Sequence, residues 1–291
     1  MDFVTFANLT FNGLIEGLVV ALPAAALTMV FGVVRFPNAA TGDVLTIGAY
    51  AAQAAQLVVG GSIVASAVVG MTFTALLSLA LYVAVFRGFA GRPNVYPLVA
   101  SIGVAFALRA VLTFFLGYDQ RVFSLPLTRA VAFGPLRIVP SDIWIGLTAI
   151  GAIAVVFVIL YATPLGRRMR AVADDPDLAR NCGISPDRVI GAMWLIAGAI
   201  TGLAGVLLGI KTLITPLMGW EMLLPAFAAM ILGGIGNPAG AILAAIVIGV
   251  AQELSTHWVG FTYKIAVGFV IMLVVLLVRP SGLFGIVSRV R

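Results

Sequence analysis

The sequence is poor in charge. Asp, Glu, Lys and Arg together make up 10% of its 291 residues, against roughly 25% in soluble domains. So few charges cannot clothe a water-facing surface, which excludes an ordinary soluble globular protein. They also exclude intrinsic disorder, which needs low hydrophobicity with high charge. Cysteine occurs once, at Cys182, so no internal disulfide framework is available. Histidine also occurs once, at His257, and no Ser-His-Asp, Cys-His or paired-carboxylate site has a candidate. Glu253 and His257 fall one helical turn apart but lack a third ligand, so no metal site is expected and both read as interfacial. The phosphate-binding pattern Gly-x-x-x-x-Gly-Lys-Ser/Thr is missing too, the nearest stretch being G-V-L-L-G-I-K-T at 205–212. The chain is therefore expected to be no enzyme, to hold no cofactor, and to leave any ATP hydrolysis to a separate subunit.

What is abundant is apolar: 62% of residues are hydrophobic, punctuated by 32 glycines and 14 prolines. Runs long enough to cross a bilayer lie at 13–34, 43–59, 62–86, 96–116, 142–162, 189–209, 222–235, 240–256 and 263–279. The fold class expected is all-α, a polytopic transmembrane bundle of about eight to ten spans forming one domain over 1–291. The runs 43–59 and 222–235 are short and rich in glycine, so each could be a half-helix or a re-entrant piece. No basic stretch precedes the first run and no small-residue cleavage site follows it, so it is expected to remain as a span rather than leave as a signal peptide.

Orientation follows from the basic residues. With the N-terminus outside, the inner side receives Arg35, Arg87, Arg92, Arg167, Arg168, Arg170, Arg180, Arg188, Arg279, Arg289 and Arg291. The outer side receives Arg121, Arg129, Arg137, Lys211 and Lys264. That bias obeys the positive-inside rule and gives N-out, C-in. It also locates the formal charge of +6 as a topology signal, with the bilayer and not nucleic acid as the partner.

Two long loops result. Residues 117–141, outside, contain Gly117, Pro126, Gly134, Pro135 and Pro140 and show no helical period. Residues 163–188, inside, carry three helix starts: Thr163-Pro164, Asp175-Pro176 and Ser185-Pro186 each set a capping side chain before a proline suited to the first helical position. Gly183 is the expected stop, so Pro176 to Cys182 is predicted to be a short helix. The pattern alone fits either a loop that reverses the chain or a rigid element on which something docks.

Other interruptions carry chemistry. Asn38, Thr41 and Gly42 form a small, polar break between the first two spans. Gly233, Gly234, Gly236, Asn237, Pro238 and Gly240 form another, which reads either as a hinge lining a pathway or as a tight turn between spans. Broken segments in both halves point to a translocation site in transporters. Glu16 and Arg109 are ionisable residues within spans; they could pair, or Glu16 could reach the interface. Asp43 reads as a helix cap at the inner interface rather than a ligand.

The stretch A-V-A-D-D-P-D-L-A-R-N-C-G-I-S-P-D-R-V-I at 171–190 resembles the cytoplasmic coupling loop of ABC-transporter permeases of the branched-chain amino acid class, the matching positions being Ala171, Asp174, Ala179, Gly183 and Ile184. The resemblance continues through 197–209, through the block Leu-Gly-Gly-Ile-Gly-Asn-Pro-x-Gly within 227–254, and through 32–50. It therefore covers essentially the whole chain, with a length that suits the shorter permease type. One departure is local: the family's Asn-Phe-Ala-His-Gly stands here as Asn38-Ala39-Ala40-Thr41-Gly42. The resemblance implies a multi-pass subunit of the bacterial inner membrane that imports branched-chain amino acids or a related small polar solute. It implies a second permease subunit, two ATPase subunits docked on 174–184, Asp175 and Pro176 included, and a soluble solute-binding protein. The rival reading is a stand-alone secondary transporter or channel for urea, an amide or a carboxylate.

Overall fold

The structure is a computed structural model that describes residues 3–59, 61–125, 131–133, 136–260, 263–279 and 282–284. Pro126, Arg129, Gly134 and Pro135 of the first long loop, and Arg289 and Arg291, lie outside the described residues. The protein is a polytopic helical bundle. Its helices are α1 (Phe3–Val34), α2 (Thr41–Val59), α3 (Ile63–Ala84), α4 (Val95–Leu116), α5 (Pro140–Phe157), α6 (Pro164–Asp174), α7 (Pro176–Asn181), α8 (Pro186–Lys211), α9 (Met218–Gly233), α10 (Pro238–Val259) and α11 (Lys264–Val278). A π-helical turn, Val158–Ala162, extends α5, and a 3-10 turn, Phe86–Phe89, follows α3. The long loop between α4 and α5 contains a small antiparallel hairpin, β1 (Val131–Phe133) with β2 (Leu136–Ile138). That loop is stapled to the bundle where Arg121 and Ile214 exchange backbone hydrogen bonds of 3.0 and 2.8 Å.

Among the described residues, six helices are long and apolar enough to span a membrane on their own: α1, α3, α4, α5 with its π turn, α8 and α10. The apolar α9 and the apolar part of α11 are shorter. The first apolar run, expected from residue 13, is the buried part of a longer helix whose first residues are exposed. At 32 residues α1 is about 48 Å long, more than the ~30 Å hydrocarbon core requires.

Small residues set the core. In a bilayer the surrounding lipid is as apolar as the side chains, so helices associate where their backbones approach closely. A Cβ on Gly17 would lie 2.7 Å from the Ile246 Cα, which puts α1 backbone to backbone against α10. Gly48, Gly70 and Gly202 do the same for α2, α3 and α8: a Cβ on Gly48 would meet the Gly202 Cα at 2.7 Å, and one on Gly70 the Gly48 carbonyl at 2.8 Å. In contrast, α4 buries one stripe, Pro97, Ser101, Ala105 and Leu112, and leaves much of its surface open.

Apart from the buried pair of Asp43 and Arg109, these charged contacts gather at the two ends of the bundle. Lys211 Nζ donates to the Asn12 carbonyl, and Lys264 binds Glu16 and Glu253, at the end holding the start of α1. Arg35 donates to the Ala173 carbonyl, Arg170 to the Leu160 carbonyl, and Arg87 pairs with Asp187, at the end holding α6 and α7.

Candidate coupling element and candidate pathway

The segment 163–188 folds as its capping residues specify. Thr163 Oγ1 accepts from the Gly166 N–H at 3.4 Å, and α6 begins at Pro164. Asp175 Oδ1 accepts from the N–H groups of both Asp177 and Leu178 at 2.9 Å, which fixes the start of α7. The α7 helix ends at Asn181, one residue before the predicted Cys182, because Gly183 turns the chain at φ 81°. There the Ile184 N–H reaches back to the Ala179 carbonyl and the Gly183 N–H to the Arg180 carbonyl, both at 3.0 Å. Ser185 precedes Pro186 at the start of α8 as expected, but its side chain makes no capping bond.

A two-turn helix is thus held rigidly at both ends. Asp174, Asp175, Pro176 and Gly183 are exposed, while Ala171 and Ile184 are half-buried. Ala179 faces inward and is buried, so it supports α7 from below rather than presenting a surface. The large apolar side chain that α7 leaves open is Leu178, 60% exposed, beside the exposed Asp177 and Arg180. Sequence reasoning passed over Leu178 because nothing in a short capped segment tells which apolar residue faces out.

Beside α7 lies a cleft of about 660 Å³, lined by Asp174, Asp175, Pro176 and Arg180 together with Arg87, Arg92 and Asp187. Its inner wall is a ladder of stacked rings: Phe36 on Phe86 (5.5 Å), Phe86 on Trp194 (4.7 Å) and Trp194 on Tyr82 (6.0 Å). Trp194 also borders a cavity of about 10 Å³ among Asn38, Thr41, Ser78 and Thr201, room for about one water molecule. Its indole N–H is buried and has no hydrogen-bond partner among the described residues.

The break between α1 and α2 is real. After Arg35, whose φ is 58°, residues 36–40 are non-helical and lead back along the middle of α8. The Asn38 side chain accepts from the Ala40 N–H at 3.1 Å, and the Ala39 N–H donates to Ser101 Oγ at 3.1 Å. Gly42 then allows α2 to start against α9, since a Cβ there would stand 2.6 Å from the Gly219 carbonyl.

The block 233–240 is different. It is a turn between α9 and α10 at the α6 end, not a break within a span: Gly234 and Gly236 take φ of 98° and 86°, and the Asn237 N–H closes onto the Gly234 carbonyl at 3.0 Å. Asn237 Oδ1 caps α10 at the Gly240 N–H (3.2 Å), with Pro238 in the first helical position. Gly233 and Gly240 bring the two helices together, a Cβ on Gly233 meeting the Ala241 N at 2.3 Å.

The buried charges pair otherwise than expected. Glu16 does not meet Arg109; it binds Lys264, which also binds Glu253 at 2.6 Å. Glu253 is therefore a partner in a three-helix ion cluster, while His257 is exposed and meets Trp258 edge-on. Arg109 makes a two-pronged contact with Asp43, Nε to Oδ1 at 2.9 Å and Nη2 to Oδ2 at 3.1 Å. Asp43, 2% exposed, is thus no interface cap but half of a buried ion pair linking α2 to α4. No spacing rule joins residues so distant in sequence; the signal present was the cost of each charge within a span.

A family model described as "Branched-chain amino acid transport system / permease component" matches residues 9–277. The high-affinity branched-chain amino acid transport system permease protein LivH of Escherichia coli K12 is 31% identical over 98% of this chain and 97% of its own. The high-affinity branched-chain amino acid transport system permease protein BraD of Pseudomonas aeruginosa is 30% identical over 94% of each chain. Among solved structures, PsaBC from Streptococcus pneumoniae in complex with Fab superposes with a TM-score of 0.53 at 13% identity, covering 93% of this chain and 91% of that one, which bears on the fold alone. On the family match along nearly its whole length, the chain belongs to the branched-chain amino acid transport system permease family.

Proposed function

We propose that the chain is the translocating subunit of an ATP-driven importer, carrying branched-chain amino acids or a related small polar solute from a soluble binding protein into the cytoplasm. It sits in the bacterial inner membrane, N-terminus out and C-terminus in, beside a second permease subunit and above two ATPase subunits. The observation that carries this reading is α7, a rigid capped helix presenting Leu178 at the basic end of the bundle. A stiff lever with one exposed apolar side chain suits docking into a groove of a separate motor subunit. Force on α7 passes through the Asp175 cap into α6 and through the Ile184–Ala179 bond toward α8. It acts beside the cleft whose inner wall is the Phe36–Phe86–Trp194–Tyr82 ladder. Movement of that ladder opens or closes the way between the cleft and the polar break at Asn38 and Thr41.

The test is Leu178→Asp in the assembled transporter. Co-purification with the ATPases and ATP-dependent uptake in proteoliposomes are both expected to fall by about tenfold or more. Unchanged assembly sinks the docking assignment, and uptake by the chain alone without ATP sinks the importer reading.

A further inference from the structure

Within the spans one cluster combines both signs of charge with aromatic faces. The Arg109 guanidinium, besides its two bonds to Asp43, lies over the Phe106 ring at 5.6 Å and the Trp220 ring at 5.0 Å. These residues come from α2, α4 and α9. The cluster is closed on one side and open on the other: Asp43 is walled in at 2% exposure, the Arg109 side chain keeps 16%, and Phe106 keeps 57%. A guanidinium at the rim of an open helix face is costly against lipid tails, so this rim belongs to a wet path or a polar partner.

We propose that Asp43 and Arg109, with Phe106 and Trp220, form the point where a zwitterionic α-amino acid is recognised in transit. The pair opens so that Arg109 takes the α-carboxylate and Asp43 takes the α-ammonium. This inference rests on the transport reading above and assigns the ligand's two charged groups to residues of this chain. The argument is charge accounting. A zwitterion replaces one ion pair by two and leaves no buried charge without a partner. A monoanion would strand Asp43, a cation would strand Arg109, and an uncharged amide cannot repay the opening of the pair. The planar guanidinium matches a carboxylate in two-pronged fashion, and the two rings supply apolar contact for an aliphatic side chain. When the pair opens, α4 stays attached to the start of α2 through Ser101 and the Ala39 N–H, two turns along the same stripe. Entry therefore loosens α4 without releasing it.

The experiment uses the complete transporter, with its permease partner, ATPases and binding protein, in proteoliposomes. Phe106→Cys in a Cys182→Ser background is alkylated with a charged maleimide, with and without leucine, isopentylamine, 4-methylpentanoate or urea. Leucine is expected to slow the alkylation by about fivefold or more, and the other three to leave it unchanged. In parallel, Asp43→Asn/Arg109→Gln removes both charges while keeping hydrogen-bonding groups. Its maximal leucine uptake is expected to fall by about tenfold or more, with an unchanged half-saturating concentration of loaded binding protein. Equal protection by all four probes, no protection by leucine, or wild-type uptake by the double variant overturns the proposal. A wild-type complex that takes up no leucine with ATP overturns the transport reading instead, and the alkylation result then decides the site by itself.

Discussion

Helices α1 and α4 are both long enough to span a membrane and nearly equal in mean hydropathy, yet 78% of the most apolar stretch of α1 is buried and only 17% of that of α4. Apolarity marks a span; it does not tell which span is core. The difference lies in the small residues. Gly13 and Gly17, four apart on α1, face the α10 backbone so closely that a Cβ on either would stand 2.7 Å from a Cα atom there. On α4, a Cβ on Gly103 would meet nothing within 4 Å. Where lipid competes as solvent, that seam of backbone contact decides which helix is interior. Helix α4 is held instead by polar ties, Ser101 to the Ala39 N–H and Arg109 to Asp43.

The most damaging way to break the contrast is Gly17→Leu. Its side chain must force α1 and α10 apart along backbone, not displace a flexible neighbour, so overpacking of about 3 kcal/mol or more is expected. Folded, monodisperse protein should be largely lost in detergent chromatography. Gly103→Leu, on the open face of α4, should leave the yield and melting temperature near wild type. Equal behaviour of the two variants would abolish the distinction between a packed seam and an open face.

Comparable in size is Asp43→Asn. It leaves Arg109 without its counter-charge in a mostly buried site, at a cost of about 3–5 kcal/mol. Adding Arg109→Gln should recover most of that loss, because the stranded charge disappears with its cause. Chemical denaturation of the single and double variants in bicelles measures the coupling; additive losses would mean the two side chains do not act as a pair.

Smaller again is the cluster of Glu16, Glu253 and Lys264, which ties α1 and α10 to α11. Lys264→Met leaves two carboxylates on one site and should cost about 2 kcal/mol, whereas Glu16→Gln or Glu253→Gln leaves the lysine one acid and should cost less. Proteolysis or hydrogen exchange at α11 reads this directly. If the glutamate variants loosen α11 as much as the lysine variant, the shared-cation description is wrong.

These contrasts also mark what was legible in the sequence. The helical class, the positions of the long spans and the three proline-preceded helix starts at Thr163, Asp175 and Ser185 were readable, because each rests on residues adjacent in the chain. The break at Asn38–Gly42 was readable for the same reason. What was not readable is pairing across the fold. Glu16 and Arg109 were the visible charges, but their partners, Lys264 and Asp43, are set by which helices pack together, and no local period carries that. The glycine block 233–240 illustrates the remaining ambiguity: glycine and proline interrupt a helix within a membrane and at its end alike, and the packing of α9 on α10 makes it a turn. The inward face of Ala179 and the outward face of Leu178 on α7 are likewise a matter of how one short helix sits on the bundle.

The finest test of the contrast is Ser101→Ala. On α1 the loss of one hydroxyl would be absorbed by a long seam of backbone contact, but on α4 Ser101 is one of two polar ties to the start of α2. Its Oγ accepts from the Ala39 N–H at 3.1 Å and donates to the Leu98 carbonyl at 2.7 Å, so removal leaves a buried N–H without its acceptor. The expected cost is about 1 kcal/mol, read as faster hydrogen exchange along 95–116 with no change along 13–34. Combined with Asp43→Asn/Arg109→Gln, the loss in α4 should exceed the sum of the separate effects, because the second tie then has nothing to share the load with. Faster exchange spread evenly over α1 and α4 would show that α4 is held by its apolar stripe, and that Ser101 and Arg109 are free for other work.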